Sequence, residues 1–160
     1  MTTPEERLAQ LGLELPQIAK PVASYVPAVR SGNYVYTSGQ LPSVAGQLVA
    51  VGKVGTGPGA SVSPEAASGA ARVCALNALA AVRGVIGELS NVVRVVKVVG
   101  FVASAADFTG QSGVVNGASD LLGEVFGSDV GAHARSAVGV AALPLDAPVE
   151  VEIVVEVSPG

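Results

Sequence analysis

Arg135 is the residue whose setting most strongly suggests chemistry. It is the only Lys or Arg between Val98 and Gly160, and it opens a run of small and apolar residues. A guanidinium in such a run needs an anionic partner, because burying an unpaired charge is strongly unfavourable. Its fork of N–H donors suits a carboxylate particularly well. The pattern favours a site for one anion, and a structural salt bridge to Asp129 or Glu150 is the alternative.

Glu150 is the second candidate, because a carboxylate can accept and return a proton during a reaction. Glu152 and Glu156 share its face of the last strand, so a solvated strand residue is the alternative. If the last two strands form a hairpin about the turn at 144–148, Arg135 and Glu150 lie about 25 Å apart. In that geometry they could share a site only across a subunit interface.

The other reactive side chains give weaker evidence for a functional site. His133 is the only histidine, which rules out a metal site built on imidazoles, and a loop or turn position is expected for it. Cys74 lies on the apolar side of a predicted helix, where a buried inert thiol is more common than a nucleophile. Ser38-Gly39-Gln40 follows a predicted strand and offers a hydroxyl and backbone N–H groups, or is an ordinary turn. The glycine-rich segment 46–59 has no phosphate-binding motif.

The amino-acid composition indicates that part of the protein surface is not exposed to water. Charged residues make up only 14% of the 160 residues, against about 25% in typical soluble proteins. An oligomer or a membrane protein would explain this, and no apolar run approaches the ~20 residues of a membrane span. The net charge of −4, with scattered basic residues, argues against nucleic-acid binding. We expect one domain over residues 1–160, burial between subunits and, without a signal-peptide pattern, a cytoplasmic location.

Hydrophobic spacing and turn residues predict the elements that position these groups. A short helix begins at the Thr3 cap and ends at Gly12, within an N-terminal extension over residues 1–20. Further helices are expected at 63–86 and 112–126, strands at 25–30, 33–38, 92–102, 135–143 and 149–157, and one or two short edge strands within 46–59. This order predicts an α+β domain with a mixed six-stranded sheet and two main helices on one face.

Several segments together resemble the RidA (YjgF) family of reactive-intermediate enamine and imine deaminases. The resemblance covers roughly residues 20–157 and rests on 24–29 (SYVPAV), 32–42 (GNYVYTSGQLP), Asp107-Phe108, Val115-Asn116, 134–136 (ARS), 143–144 (LP) and 149–152 (VEVE). The TSGQ-x-P and ARS-x-V-x-V-A-x-L-P blocks are specific when they occur together. Four departures indicate a divergent subgroup: Ala137 where many members have Cys, His133 where Pro is common, the extra N-terminal helix, and a slightly longer connection before Arg135.

The resemblance implies a chorismate-mutase-like α+β subunit, assembled as a homotrimer with three clefts between subunits. In those clefts Arg135 would bind the substrate carboxylate and Glu150 would orient the attacking water. The other site residues that the resemblance implies are Tyr25, Ser38, Gly39, Asn116 and Ala137, the last through its backbone carbonyl. The implied reaction hydrolyses the enamine or imine of a small 2-amino acid to a 2-keto acid and ammonia, and it requires no metal or organic cofactor.

Other functions stay open at this point. A non-catalytic trimer could use the same clefts to bind small carboxylates, and a purely structural trimer would use them for nothing. Endoribonuclease activity has been attached to family relatives, but the acidic charge and the scattered basic residues argue against it here. The presence of both Arg135 and Glu150 favours the enzyme.

Overall fold

The computed structural model describes residues 1–18 and 24–160. Its elements in chain order are α1 (Pro4–Gln10), β1 (Ala28–Ser31), β2 (Tyr34–Thr37), β3 (Ser43–Val44), β4 (Gln47–Leu48), α2 (Pro64–Ile86), β5 (Val92–Ala103), α3 (Gln111–Val130), β6 (Ala134–Val140) and β7 (Val149–Val157). The predicted α+β class is confirmed, and the main helices and strands lie within a few residues of their expected positions. The helix expected to end at residue 126 runs on to Val130, with a break at Gly127, where φ is +84°.

Within the described residues five strands form one mixed sheet in the order β1-β2-β7-β5-β6, with β6 parallel to β5. The strands β3 and β4 pair with each other as a separate two-stranded ribbon. The expected six-stranded sheet is therefore wrong. A tight turn at Ala45-Gly46, whose φ values are +51° and +82°, folds this segment onto itself instead of adding it to the main sheet.

The strands β6 and β7 are not neighbours, so the expected hairpin is also wrong. The connection at 141–148 crosses the end of β5, and both strands consequently pair with β5. Val98 lies opposite Arg135 on one side, and Phe101 lies opposite Glu150 on the other. Arg135 and Glu150 are therefore separated by two strand spacings across the sheet and by three residues along the strands. Their Cα atoms lie about 14 Å apart, against the ~25 Å of a hairpin.

The helices α2 and α3 pack on one face of this sheet, against β7 and β5. Residues of β7 alternate between fully buried and half-buried, so every second side chain faces the helices. The two helices touch closely, because a β-carbon at Gly117 of α3 would overlap the backbone carbonyl of Ser68 in α2. The opposite face of the sheet carries exposed apolar side chains, including Tyr36 (48% exposed) and Val138 (45%).

The helix α2 has the length and composition of a membrane span, with 23 residues and a mean hydropathy of 1.4 over an 18-residue window. The expectation that no segment approaches a span is therefore wrong on these two measures. Of that window, 56% is buried inside the fold, and Ala71, Cys74 and Leu79 are fully buried. A core helix packed on a sheet has these properties.

The N-terminal helix α1 begins at the predicted Thr3 cap, which forms a capping box with Glu6. The Glu6 N–H donates to Thr3 Oγ1 at 3.1 Å, and the Thr3 N–H donates to Glu6 Oε2 at 2.8 Å. Leu8 is buried, and the Leu89 N–H donates to Glu5 Oε1 at 2.6 Å, so the helix is docked on the body of the fold. Residues 19 and 20 of the expected extension lie outside the described residues.

Candidate functional site

The guanidinium of Arg135 is held against α3 by three oxygen acceptors. Its Nη1 donates to Asn116 Oδ1 at 2.7 Å and to Ser119 Oγ at 3.2 Å, and its Nη2 donates to the Ser112 carbonyl at 3.3 Å. All three acceptors are neutral. In the described part of the chain Arg135 has no salt bridge, to Asp129, Glu150 or any other carboxylate. The cation is therefore oriented without being neutralised.

The acceptors follow one stripe of α3. Ser112, Asn116 and Ser119 are spaced by four and three residues, which places them one above another on a helix. The neighbours Val114, Val115, Ala118, Leu121 and Leu122 are buried and fix the opposite side of the helix against the sheet. Asn116 was expected at the site, whereas Ser112 and Ser119 were missed. Their spacing with Asn116 was the signal that could have identified them.

Two N–H donors of the Arg135 guanidinium have no acceptor among the described residues. Both Nη1 hydrogens are engaged, and Nη2 uses one of its two. Among the described residues no acceptor meets the Nε–H or the second Nη2–H. Nε and Nη2 form a side-on edge that can donate to both oxygens of one carboxylate. The guanidinium thus keeps donors for a carboxylate in addition to its contacts to α3.

His133 belongs to the same cluster, although the sequence suggested only a loop position. It precedes β6, two residues before Arg135, and its Nε2 lies 2.8 Å from Ser119 Oγ. Its Nδ1 lies 2.6 Å from the Gly131 carbonyl oxygen. We refer to Arg135 and the residues that hold it, namely Ser112, Asn116, Ser119 and His133, as the arginine cluster.

Glu150 lies in a second cluster at the start of β7. Its carboxylate fills the space beside Gly39, where a β-carbon would overlap Glu150 Oε1. Burial raises the pKa of Glu150 above its ordinary value, and the negative charge of Glu152 raises it further. A carboxyl with a raised pKa is better suited to exchanging protons near neutral pH than an exposed one.

Ser38 and Tyr25 complete this second group, which we call the glutamate cluster: Tyr25, Ser38, Gly39 and Glu150. Ser38 Oγ donates to the Val26 carbonyl at 2.6 Å, which ties the segment before β1 to the end of β2. Tyr25 is 52% exposed and lines the same groove as Gly39. The hydroxyl of Ser38 is therefore engaged by the backbone of the segment that carries Tyr25.

The two clusters are on opposite faces of the sheet. Arg135 reaches α3 on the helix face, and Ala137 packs against the core on that same face. Glu150 alternates with the buried residues Val149 and Val151, so it points to the uncovered face. The structure thus brings Arg135 together with Asn116, with Ala137 on the same face of β6, and it brings Glu150 together with Gly39. Ser38 precedes Gly39 in the chain, and Tyr25 lines a groove with Gly39. The structure does not bring the two groups together within one subunit.

Cys74 is buried beneath this region. Burial raises the pKa of its thiol well above the ordinary value, and the nearby charge of Glu150 acts in the same direction. The thiol is protonated and inaccessible, as expected from its place on the apolar side of α2. Across residues 1–18 and 24–160, no three His, Cys, Asp or Glu side chains group as a metal site would require.

The comparisons with known proteins agree on one family. The family described as "YjgF/chorismate mutase-like, putative endoribonuclease" matches residues 5–157. Protein TCP17 of Trypanosoma cruzi is 47% identical over 157 residues, covering 94% of this chain and 92% of that protein. Protein Atu1372 from Agrobacterium tumefaciens, of unknown function, is 44% identical, with a TM-score of 0.86 over 97% of this chain and 92% of its own.

A more distant structure is that of the YjgF gene product from E. coli. It is 25% identical and has a TM-score of 0.62, over 89% of this chain and 93% of its own. The fold of the chain is therefore that of YjgF. The higher identity and coverage of the T. cruzi and A. tumefaciens proteins accord with a divergent subgroup.

Proposed function

Because the chain belongs to the YjgF/chorismate mutase-like family, we propose that it hydrolyses the enamine or imine of a small 2-amino acid. The products are a 2-keto acid and ammonia. The observation that carries this proposal is the Arg135 guanidinium, which three neutral acceptors orient while its Nε–H and one Nη2–H have no acceptor among the described residues. A site of this kind fits a substrate that carries a carboxylate beside the reacting carbon.

In the proposed reaction the enamine first tautomerises to the imine. Arg135 fixes the carboxylate, which places the adjacent imine carbon. Glu150 accepts a proton from water as the water oxygen attacks that carbon, and a proton is then returned to the nitrogen. The hydroxyl proton of the resulting carbinolamine passes to the nitrogen, the C–N bond breaks, ammonia leaves and the carbonyl of the 2-keto acid forms. The raised pKa of Glu150 supports this exchange of protons.

The proposal includes a homotrimer in which the arginine cluster of one subunit faces the glutamate cluster of the next. Two observations support it. The clusters lie on opposite faces of the sheet, and the uncovered face carries exposed apolar residues such as Tyr36 and Val138, as interaction surfaces do. The backbone carbonyl of Ala137 is the further group that would contact the water. A cytoplasmic location and the lack of any cofactor requirement belong to the same proposal.

The test is a coupled assay. Amino-acid oxidases or lyases generate enamines and imines from several small amino acids, and their decay is followed with and without this protein. Faster formation of ammonia and 2-keto acid is expected, with a preference among the amino acids that identifies the side chain accommodated. Binding of 2-keto acids without any acceleration would instead support a non-catalytic carboxylate-binding trimer. Endoribonuclease activity, which the family description names, is poorly matched to a net charge of −4.

A further inference from the structure

We propose that His133 is a positioning residue that holds Arg135 in its carboxylate-binding orientation by acting through Ser119. The proposal rests on the proposed function, in which Arg135 is the carboxylate-binding residue. Its basis is a continuous hydrogen-bonded path from the Gly131 carbonyl through the imidazole and the Ser119 hydroxyl to Arg135 Nη1.

The Gly131 carbonyl determines the tautomer of the imidazole. A carbonyl oxygen can only accept, so Nδ1 of His133, 2.6 Å away, must carry a proton. In the neutral ring Nε2 is then an acceptor. The hydroxyl of Ser119, 2.8 Å from Nε2, therefore donates its one proton to the imidazole.

The direction of that bond fixes what Ser119 presents to Arg135. With its proton committed to His133, the Ser119 oxygen turns its lone pairs to Arg135 Nη1 at 3.2 Å. Together with Asn116 Oδ1 it occupies both Nη1 hydrogens, which sets the plane of the guanidinium. Without an acceptor at the Nε2 position the hydroxyl can rotate, and its proton can turn toward the cation.

Two substitutions at one position separate the two bonds that His133 makes. His133→Gln places an acceptor where Nε2 lies and can keep the bond from Ser119. His133→Asn places a donor where Nδ1 lies and can keep the bond to Gly131 while losing the one from Ser119. If His133 acted only by holding the loop before β6, Asn would be the milder change. We expect the opposite order.

The measurement is the affinity for pyruvate by calorimetry, together with kcat and KM for imine hydrolysis. His133→Asn should weaken pyruvate binding and raise KM by roughly threefold to tenfold, with a smaller change in kcat. His133→Gln should restore most of the loss. In a Ser119→Ala background His133→Asn should have no further effect. Equal losses in the Asn and Gln variants, or an undiminished loss in that background, would overturn the proposal.

A second readout does not depend on catalysis or on ligand binding. Nitrogen-15 NMR should find the Nδ1–H tautomer of His133 and slow rotation of the Arg135 guanidinium about its Nε–Cζ bond. Rotation should become faster in His133→Asn and remain slow in His133→Gln. If the wild-type protein neither binds pyruvate nor hydrolyses imines, the proposed function fails, while the rotation rates still decide the role of His133. The Nε2–H tautomer, or identical rotation in all variants, would contradict that role.

Discussion

The carboxylate of Glu150 occupies the space that a β-carbon would need at Gly39. The glutamate cluster therefore requires a glycine at position 39, because the side chain of any larger residue would occupy the space of the Glu150 carboxylate. The overlapping atoms belong to the outer part of a flexible side chain, so the overlap can be relieved by moving Glu150. Function and stability should respond differently to that movement.

Gly39→Ala should fold with little loss of stability but should hydrolyse imines slowly, because the Glu150 carboxylate is displaced from the position where it meets water. Gly59→Ala is the control, since a β-carbon at that loop glycine meets nothing within 4 Å. Thermal unfolding and steady-state kinetics of both variants provide the measurement. If the Gly39→Ala variant has the wild-type kcat, Glu150 takes no part in the reaction.

Arg135→Ala should abolish turnover and leave the fold intact. The loss of a charge-assisted contact to the substrate carboxylate should cost roughly 1.5–3 kcal/mol in binding. Arg72→Ala is the control, because the Arg72 guanidinium is committed to Glu124 at 2.8 Å on the surface. Calorimetry with pyruvate and the coupled imine assay should separate the two variants, and wild-type turnover by Arg135→Ala would refute the site.

Glu150→Gln should slow hydrolysis by roughly 10²–10⁴-fold while changing carboxylate affinity little, because an amide can still form hydrogen bonds but cannot take a proton. Single-turnover kinetics measure the rate of hydrolysis, and calorimetry with pyruvate measures the carboxylate affinity. Unchanged turnover with poor affinity would assign Glu150 to binding instead of proton transfer.

Glu150→Gln should also change how stability depends on pH. Because the pKa of Glu150 is raised in the folded protein, ionising it weakens the fold. The stability present below the ordinary carboxylate pKa is lost as the pH rises through the folded pKa. The variant should thus gain stability over the wild type at neutral pH and match it in acid. Urea unfolding between about pH 4 and about pH 8 tests this, with Arg135→Ala as the background, so that no partner guanidinium meets the carboxylate.

Mixing Arg135→Ala subunits with Glu150→Gln subunits should restore part of the activity. On opposite faces of one sheet, the two residues can meet only across an interface, so some clefts of a mixed trimer contain both wild-type side chains. Light scattering on the wild type tests the stoichiometry of three. An active monomer, or no recovery despite demonstrated subunit exchange, would exclude a shared cleft.

Local sequence patterns predicted the elements well because capping and periodicity act over a few residues. The Thr3 capping box and the Pro64 start of α2 are examples. The order of β6, β5 and β7 could not be predicted in this way. A hairpin and a crossover present the same alternation in the sequence, and only the pairing partner differs.

The sequence pointed to those residues of the candidate site whose type is distinctive, and it missed the ordinary ones. Arg135 and Glu150 stand out by charge, and Asn116 and Gly39 through the family resemblance. Ser112, Ser119 and His133 are ordinary residues whose importance comes from the direction in which α3 and the turn before β6 present them. That direction depends on the packing of the buried side of α3, which no single segment determines.

The strand order has a consequence for how the chain is made. β7 follows every other described strand in the sequence but lies at the centre of the sheet, between β2 and β5. While the ribosome is still synthesising residues 149–157, the nascent chain already holds both neighbouring strands with unpaired edges. The two halves of the sheet can join only when β7 emerges, so the interval before its release is when the growing chain is most exposed to pairing with another copy.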